Sequence, residues 1–240
     1  MHASTRALQA ALRNRLDDAG LFPESRALVE RAMGASFLVH DGALRPGGVP
    51  YPDHPLSVTL RLLDSGAART ASHLVAGLLH DAVEDAHEAL VGYLEGPDAA
   101  AGATQEDAFR ALGEALDPRA AEWIRHLTNP DFDAAVSHLP ESDRGSARRA
   151  LYCDHVVGLV DGCPEAFLVK FEDFSENALS LDGLEDGPRR QKLTAKYGPV
   201  IRALRARLAA LTAADHPVTP HRDRMLAALE RAWNGPYAGR

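Results

Sequence analysis

This chain of 240 residues is short of sulfur and of aromatic rings: two cysteines, three methionines and two tryptophans, with Phe, Trp and Tyr together at 6%. Cys153 and Cys163 cannot build the disulfide framework of a small secreted domain, and they read as free thiols of a reducing compartment. No stretch approaches the roughly 20 consecutive apolar residues of a membrane span, and the N-terminus lacks the apolar core of a signal peptide. These absences lead us to expect a cytoplasmic protein with no membrane partner. Alternating β-branched runs long enough for a strand are missing, as are internal repeats and blocks of like charge. Positive charge is the scarcer sign, with 26 Lys and Arg against 34 Asp and Glu, a formal net charge of −8. A nucleic-acid polymer, whose phosphates demand dense Lys and Arg, is therefore excluded as the main partner. A small anionic ligand is not, because a metal ion and one or two local cations suffice for it.

What is present is helical nearly throughout, and the expected class is all-α. Leu8, Leu12 and Leu16 recur every fourth residue after Ser4 and Thr5, and Gly20 is placed to stop that helix. Pro23 opens a second run with the stripe Leu28, Val29, Met33 and Phe37. The Gly- and Pro-rich segment 42–52 must be a loop. Helices are expected from His54 to about Leu63 and from about Ala68 to Ala86. Gly96 to Gly102 reads as a surface loop. Thr104 with Asp107 forms a capping-box pattern, and Asp117-Pro118 pairs an N-cap with Pro at the first helical position, in a helix ended by Asn129-Pro130. Further helices are expected over Ser142 to Val160 and Pro164 to Leu181, then across Gly198-Pro199, which kinks or restarts the run through Val200, Ile201 and Leu204, and around Met225, Leu229 and Trp233.

The chemistry concentrates in Leu78-Leu-His80-Asp81-Ala-Val-Glu84-Asp85, which follows an apolar run. Burying ionised groups without a partner is costly, so a cation is the expected neutraliser. At about 100° per residue along one helix, the four ionisable residues span about 140° of a single face. Two other segments offer further ligands. Leu168-Val-Lys170-Phe-Glu-Asp173-Phe-Ser-Glu-Asn177 puts Asp173 and Asn177 four apart on one face, with Ser180 joining it. Tyr51-Pro-Asp-His54-Pro places His54 where a helix begins. Imidazoles with carboxylates suit Mn²⁺, with Fe²⁺ or Zn²⁺ as alternatives. Each feature also has a plainer reading: His54-Pro as an ordinary helix start, Glu172 and Asp173 as a solvated face, Glu84 and Asp85 as surface charges at a helix end. His40 and His73 read as core or helix-packing residues, and Asp154-His155 as structural or exposed.

Taken in order, Arg45-x-x-x-x-Pro-Tyr-x-x-His54-Pro, Leu-Leu-His80-Asp81-x-Val-Glu84-Asp85 and Leu-Val-Lys170-x-x-Asp173-x-x-x-Asn177 resemble the HD-domain hydrolase of the RelA/SpoT family, over roughly residues 28 to 210. The chain looks like a small alarmone hydrolase. The resemblance implies a single HD-type helical bundle over 1–240, with its core at about 22–212, extra terminal helices and a C-terminal extension at 213–240. It implies removal of the 3′-pyrophosphate from guanosine tetra- or pentaphosphate, with Mn²⁺ activating the water. His54, His80, Asp81 and Asp173 would ligate the metal, and Glu84 and Asp85 would act as acid/base groups. Asn177 and Ser180 would touch ribose or phosphate. Arg45 would flank the base, a task suited to a planar guanidinium, and Lys170 would support the site or face a phosphate. The sequence departs from the family's pattern in Pro46, where a Lys usually follows the Arg, and in Leu179, where an Arg is usual. The stretch between Asp85 and Asp173 is also longer. These departures keep two other readings open: an HD phosphatase for another nucleotide, and a catalytically idle nucleotide-binding regulator. Apolar positions in the terminal helices would serve a homodimer as readily as a monomer core.

Overall fold

The computed structural model describes residues 2–45, 47–179, 181 and 187–237, and among these it is all-α with no strand. Ser180 and Pro46 lie outside the described residues. No described helix is long and apolar enough to cross a membrane. The chain divides into two compact units, residues 1–128 and 129–240.

The first unit holds helices α1 (Ala3–Asp18), α2 (Pro23–Val39), α3 (Asp53–Asp64), α4 (Ala71–Leu79), α5 (Ala82–Glu95), α6 (Gln105–Ala115) and α7 (Pro118–Leu127). At its centre is α4, which packs against α2, α3 and α7. That position explains its composition: every residue from Ser72 to Leu79 is buried. Local signals set the helix ends. Gly20 takes a left-handed φ of 61° after α1, a conformation open to glycine at little cost. Thr104 and Asp107 exchange both bonds of a capping box, and Asp117 accepts from the Ala120 N–H at 2.8 Å. The 42–52 loop folds back on itself, with the Arg45 N–H donating to Val49 O at 2.8 Å and the Tyr51 N–H to Ala43 O at 2.9 Å. A bond from the Thr5 hydroxyl to Asp53 then ties α1 to the first residue of α3.

One sequence expectation is corrected here. The helix foreseen from about Ala68 to Ala86 is two helices, with His80 capping the end of α4 and Asp81 the start of α5. A second departure from helical geometry falls at Ala86 (φ −158°, ψ 59°). The single-face arithmetic for His80, Asp81, Glu84 and Asp85 therefore does not hold. His80 is buried, Asp81 is half-buried, and Glu84 and Asp85 are exposed. The two acids sit in the first turn of α5, at the helix end whose dipole favours negative charge.

The second unit holds α8 (Phe132–Val136), α9 (Glu141–Gly162), α10 (Pro164–Ala178), α11 (Pro188–Ala209) and α12 (Arg222–Asn234). Long α9 packs against α8, α10 and α11, and α12 lies on α11. Of the kink or restart expected at Gly198-Pro199, the restart does not occur, since α11 is one helix with Pro199 inside it. Short α8 went unforeseen, being five residues started by Asp131 accepting from the Ala134 N–H. The C-terminal segment is joined to α10 at two points. Arg224 lies 2.7 Å from the buried Glu172, and the Tyr237 hydroxyl donates to the Ala178 carbonyl at 2.7 Å. That carbonyl is among the last four of α10, which have no partner within their own helix, so Tyr237 acts as its cap. Replacing Tyr237 with Phe leaves this buried acceptor unmet and should destabilise the unit by about 1 kcal/mol. Urea unfolding checks this, and an unchanged midpoint would contradict it.

Candidate metal centre

Two helix ends meet to make the site. His54 is the second residue of α3, positioned by the loop that closes at Tyr51, where its N–H donates to Tyr51 O at 3.0 Å. His80 ends α4, and the two helices approach closely because residue 77 is glycine. A Cβ on Gly77 would come within 2.8 Å of Leu62 Cδ1 and 2.9 Å of Thr59 Oγ1. The Thr59 hydroxyl is itself engaged, donating to Pro55 O at 2.7 Å.

The Nε2 atoms of His54 and His80 stand 3.2 Å apart, both rings buried. Asp81 Oδ2 lies 3.2 Å from His80 Nε2 and 3.6 Å from His54 Nε2. One ligand atom from each of the three residues falls within 4.8 Å of the others, a group that could hold a metal ion. A further contact shows how well the set fits one. His80 Nδ1 lies 2.8 Å from the Gly77 carbonyl, which can only accept, so Nδ1 carries the hydrogen. In the neutral ring Nε2 is then a bare lone pair, facing a carboxylate oxygen and a second imidazole. Two imidazole nitrogens and a carboxylate oxygen that converge in this way can share one cation. A backbone carbonyl fixing the far nitrogen is also the usual support of a metal-bound histidine. Two nitrogens and one oxygen form a donor set for Mn²⁺, Fe²⁺ or Zn²⁺.

Around these three stand residues whose part the sequence did not disclose. The Tyr51 hydroxyl donates to Asp81 Oδ2 at 3.1 Å. His40, expected as a packing residue, does pack, but on Tyr51: the rings stack with centroids 4.3 Å apart at 21°. Its Nδ1 is 3.8 Å from Asp85 Oδ2. Burial pushes the His40 imidazole down to about 4, against the opposing pull of Asp81, so the ring is neutral near pH 7. Burial, then the charges of Asp81 and Asp85, raise the Tyr51 phenol well above its ordinary value and keep it a donor. Partial burial pushes the Asp85 carboxyl up. The Tyr51 hydrogen bond opposes that shift, and repulsion from Asp81 and Glu84 adds to it. A cavity of about 470 Å³ opens beside His40, lined also by Thr5, Phe37, Leu44, Pro50 and Pro52. The only sequence signal for Tyr51 was its place three residues before His54, and His40 had none.

The remaining expected site residues fall as follows. Arg45 is half-buried in the same loop as Tyr51. In the second unit, Asp173 is buried, with Oδ2 accepting from Lys170 Nζ at 2.9 Å and Oδ1 from Asn177 Nδ2 at 2.6 Å. Glu172 and Asp173 are thus not a solvated face. Lys170 and Asn177 both donate to Asp173. His73 is a packing residue as expected, its ring tilted at 50° against Trp123 and hydrogen-bonded with Thr70.

No family model and no solved structure matches the chain. A comparison with curated proteins does find a relative. The match is to a GTP pyrophosphokinase of Streptomyces coelicolor. It is 46% identical over 57 residues, which is 24% of this chain and 6% of that protein. That relative's name is one of the RelA/SpoT family, and it describes pyrophosphate transfer rather than hydrolysis.

The close approach at Gly77 yields a prediction. Gly77→Ala should destabilise the protein by about 1 kcal/mol, overpacking outweighing the gain in helix propensity, and should weaken metal binding by separating His54 from His80. Thermal melting and Mn²⁺ titration check both effects, and a more stable variant with unchanged affinity would contradict the packing argument.

Proposed function

We propose that this chain is a metal-dependent phosphohydrolase whose substrate is guanosine tetra- or pentaphosphate, cleaved at the 3′-pyrophosphate. The observation that carries the reading is the convergence of His54 Nε2, His80 Nε2 and Asp81 Oδ2, an acceptor-rich centre built from two of the three motifs that resemble the hydrolase. The partial match to a RelA/SpoT-family protein supports the family and not the direction of the chemistry.

His54, His80 and Asp81 would hold the ion, and Asp173 is proposed as a fourth ligand on its motif alone. When bound, a divalent cation supplies Lewis acidity toward water and toward the phosphoryl oxygens. The chain's own groups do the rest. Asp85, its carboxyl pushed up by partial burial, would act as an acid/base group, with Glu84 beside it as its partner. Tyr51 holds the Asp81 carboxylate, while Lys170 and Asn177 hold that of Asp173. Arg45 would flank the guanine base.

A second reading, an HD phosphatase for a different nucleotide, draws on Leu179. This residue ends α10 where the family's pattern has a cation, and it thins the positive charge available to a tetraphosphate. Incubation with Mn²⁺ and a panel of nucleotides, with products separated by chromatography, distinguishes the two. Pyrophosphate released from guanosine tetraphosphate supports the first reading, and free phosphate from another nucleotide supports the second. Less than about a tenth of an equivalent of bound metal with no Mn²⁺-dependent turnover would favour an idle regulator and sink both.

The division of labour is testable residue by residue. Asp81→Ala should lose metal and turnover together. Glu84→Ala should keep the metal while its rate falls by about 10²–10⁴-fold, the usual span for an acid/base group. Metal content by mass spectrometry alongside steady-state rates separates these outcomes, and normal turnover in Asp81→Ala would remove the site.

A further inference from the structure

We infer that Tyr51, seated by its stack on His40, is a positioning residue that sets the Asp81 carboxylate against the two imidazoles. The inference rests on the metal reading above. Its basis is that the Tyr51 hydroxyl donates to Asp81 Oδ2, the same oxygen that meets His80 Nε2 at 3.2 Å and His54 Nε2 at 3.6 Å. Asp81 sits at the hinge between α4 and α5, with its side chain 26% exposed. At that position a fixed donor favours the rotamer that points Oδ2 at the imidazoles.

Tyr51 can act as that fixed donor because it is held from several sides. Its backbone N–H is tied to Ala43 O at 2.9 Å, and its carbonyl accepts from the His54 N–H at 3.0 Å, so loop and ligand share one short rigid segment. The His54 ring meets it edge-on at 6.2 Å between centroids. The flat face is covered by His40, which is itself 3% exposed at the end of α2. The other edge of His40 approaches Asp85, with Nδ1 3.8 Å from Oδ2. The stacked pair therefore lies beside both the carboxylate proposed to bind the ion and the one proposed to move a proton. Partners that orient a metal ligand in this way contribute about 10–100-fold to metal affinity.

The plainer account is that His40 and Tyr51 only fill space, and Mn²⁺ titration calorimetry on the purified full chain decides between them. Tyr51→Phe keeps the ring and the stack but removes the donor. Positioning predicts at least a tenfold weaker Mn²⁺ Kd with an unchanged melting temperature of the metal-free protein, whereas space-filling predicts no change in Kd. His40→Phe, which retains a flat ring, should stay within about threefold of wild type, and His40→Leu should fall by about tenfold. Wild-type affinity in Tyr51→Phe overturns the inference. If that variant does not fold, wild-type affinity in a folded His40→Leu overturns it instead.

A wild-type protein that takes up no Mn²⁺ overturns the metal reading, and the inference is then judged on the metal-free chain. There, the effects of Tyr51→Phe and Asp81→Asn on urea unfolding should be non-additive. Strict additivity means that the hydroxyl does not hold the carboxylate.

Discussion

The hydrogen bond between His80 Nδ1 and the Gly77 carbonyl is the constraint on which the rest of the site depends. It sets the tautomer and leaves Nε2 as a lone pair directed at His54 and Asp81. The residue that provides the carbonyl is also the one whose missing side chain lets α4 approach α3. Glycine at position 77 thus does two jobs with one backbone unit, bringing two histidines from different helices to 3.2 Å and orienting one of them. Both imidazoles are buried, and the Asp81 carboxylate that meets them also accepts from the Tyr51 hydroxyl.

The second unit handles buried charge in a different way. Glu172 and Asp173 are adjacent on α10 and both are buried, yet each has a cation of its own: Arg224 from α12 for the first, Lys170 from one turn earlier for the second. Truncating one partner of such a pair strands a charge in the interior, which is why both partners persist where a salt bridge would otherwise add little. The C-terminal helix is therefore part of what makes the acidic motif of α10 tolerable. Tyr237 reinforces this by capping the carbonyl of Ala178.

Much of this was legible in the sequence wherever the cause is local. Thr104 with Asp107 and Asp117 with Pro118 start helices through bonds reaching three residues ahead, and they appear as read. The loop over 42–52 follows from glycine and proline alone. The grouping of His54 with His80 and Asp81 was also anticipated, His80 and Asp81 from the apolar run that precedes them, and His54 from its motif at a helix start in the family resemblance. The break at His80–Asp81 was not, because no proline or glycine marks it, and the angular arithmetic presumed an unbroken helix. Relations across distance were silent too. His40 and Tyr51 are eleven residues apart and come together only through the fold of the loop, while Glu172 and Arg224 belong to different helices.

The central claim is that the buried imidazoles of His54 and His80 and the carboxylate of Asp81 form one cation site. An anomalous difference map from a crystal grown with Mn²⁺, collected at the manganese edge, tests it most directly. The account predicts a single strong peak bonded to Nε2 of both histidines and to an oxygen of Asp81. A map with no peak there, or with manganese only on surface carboxylates, would contradict it.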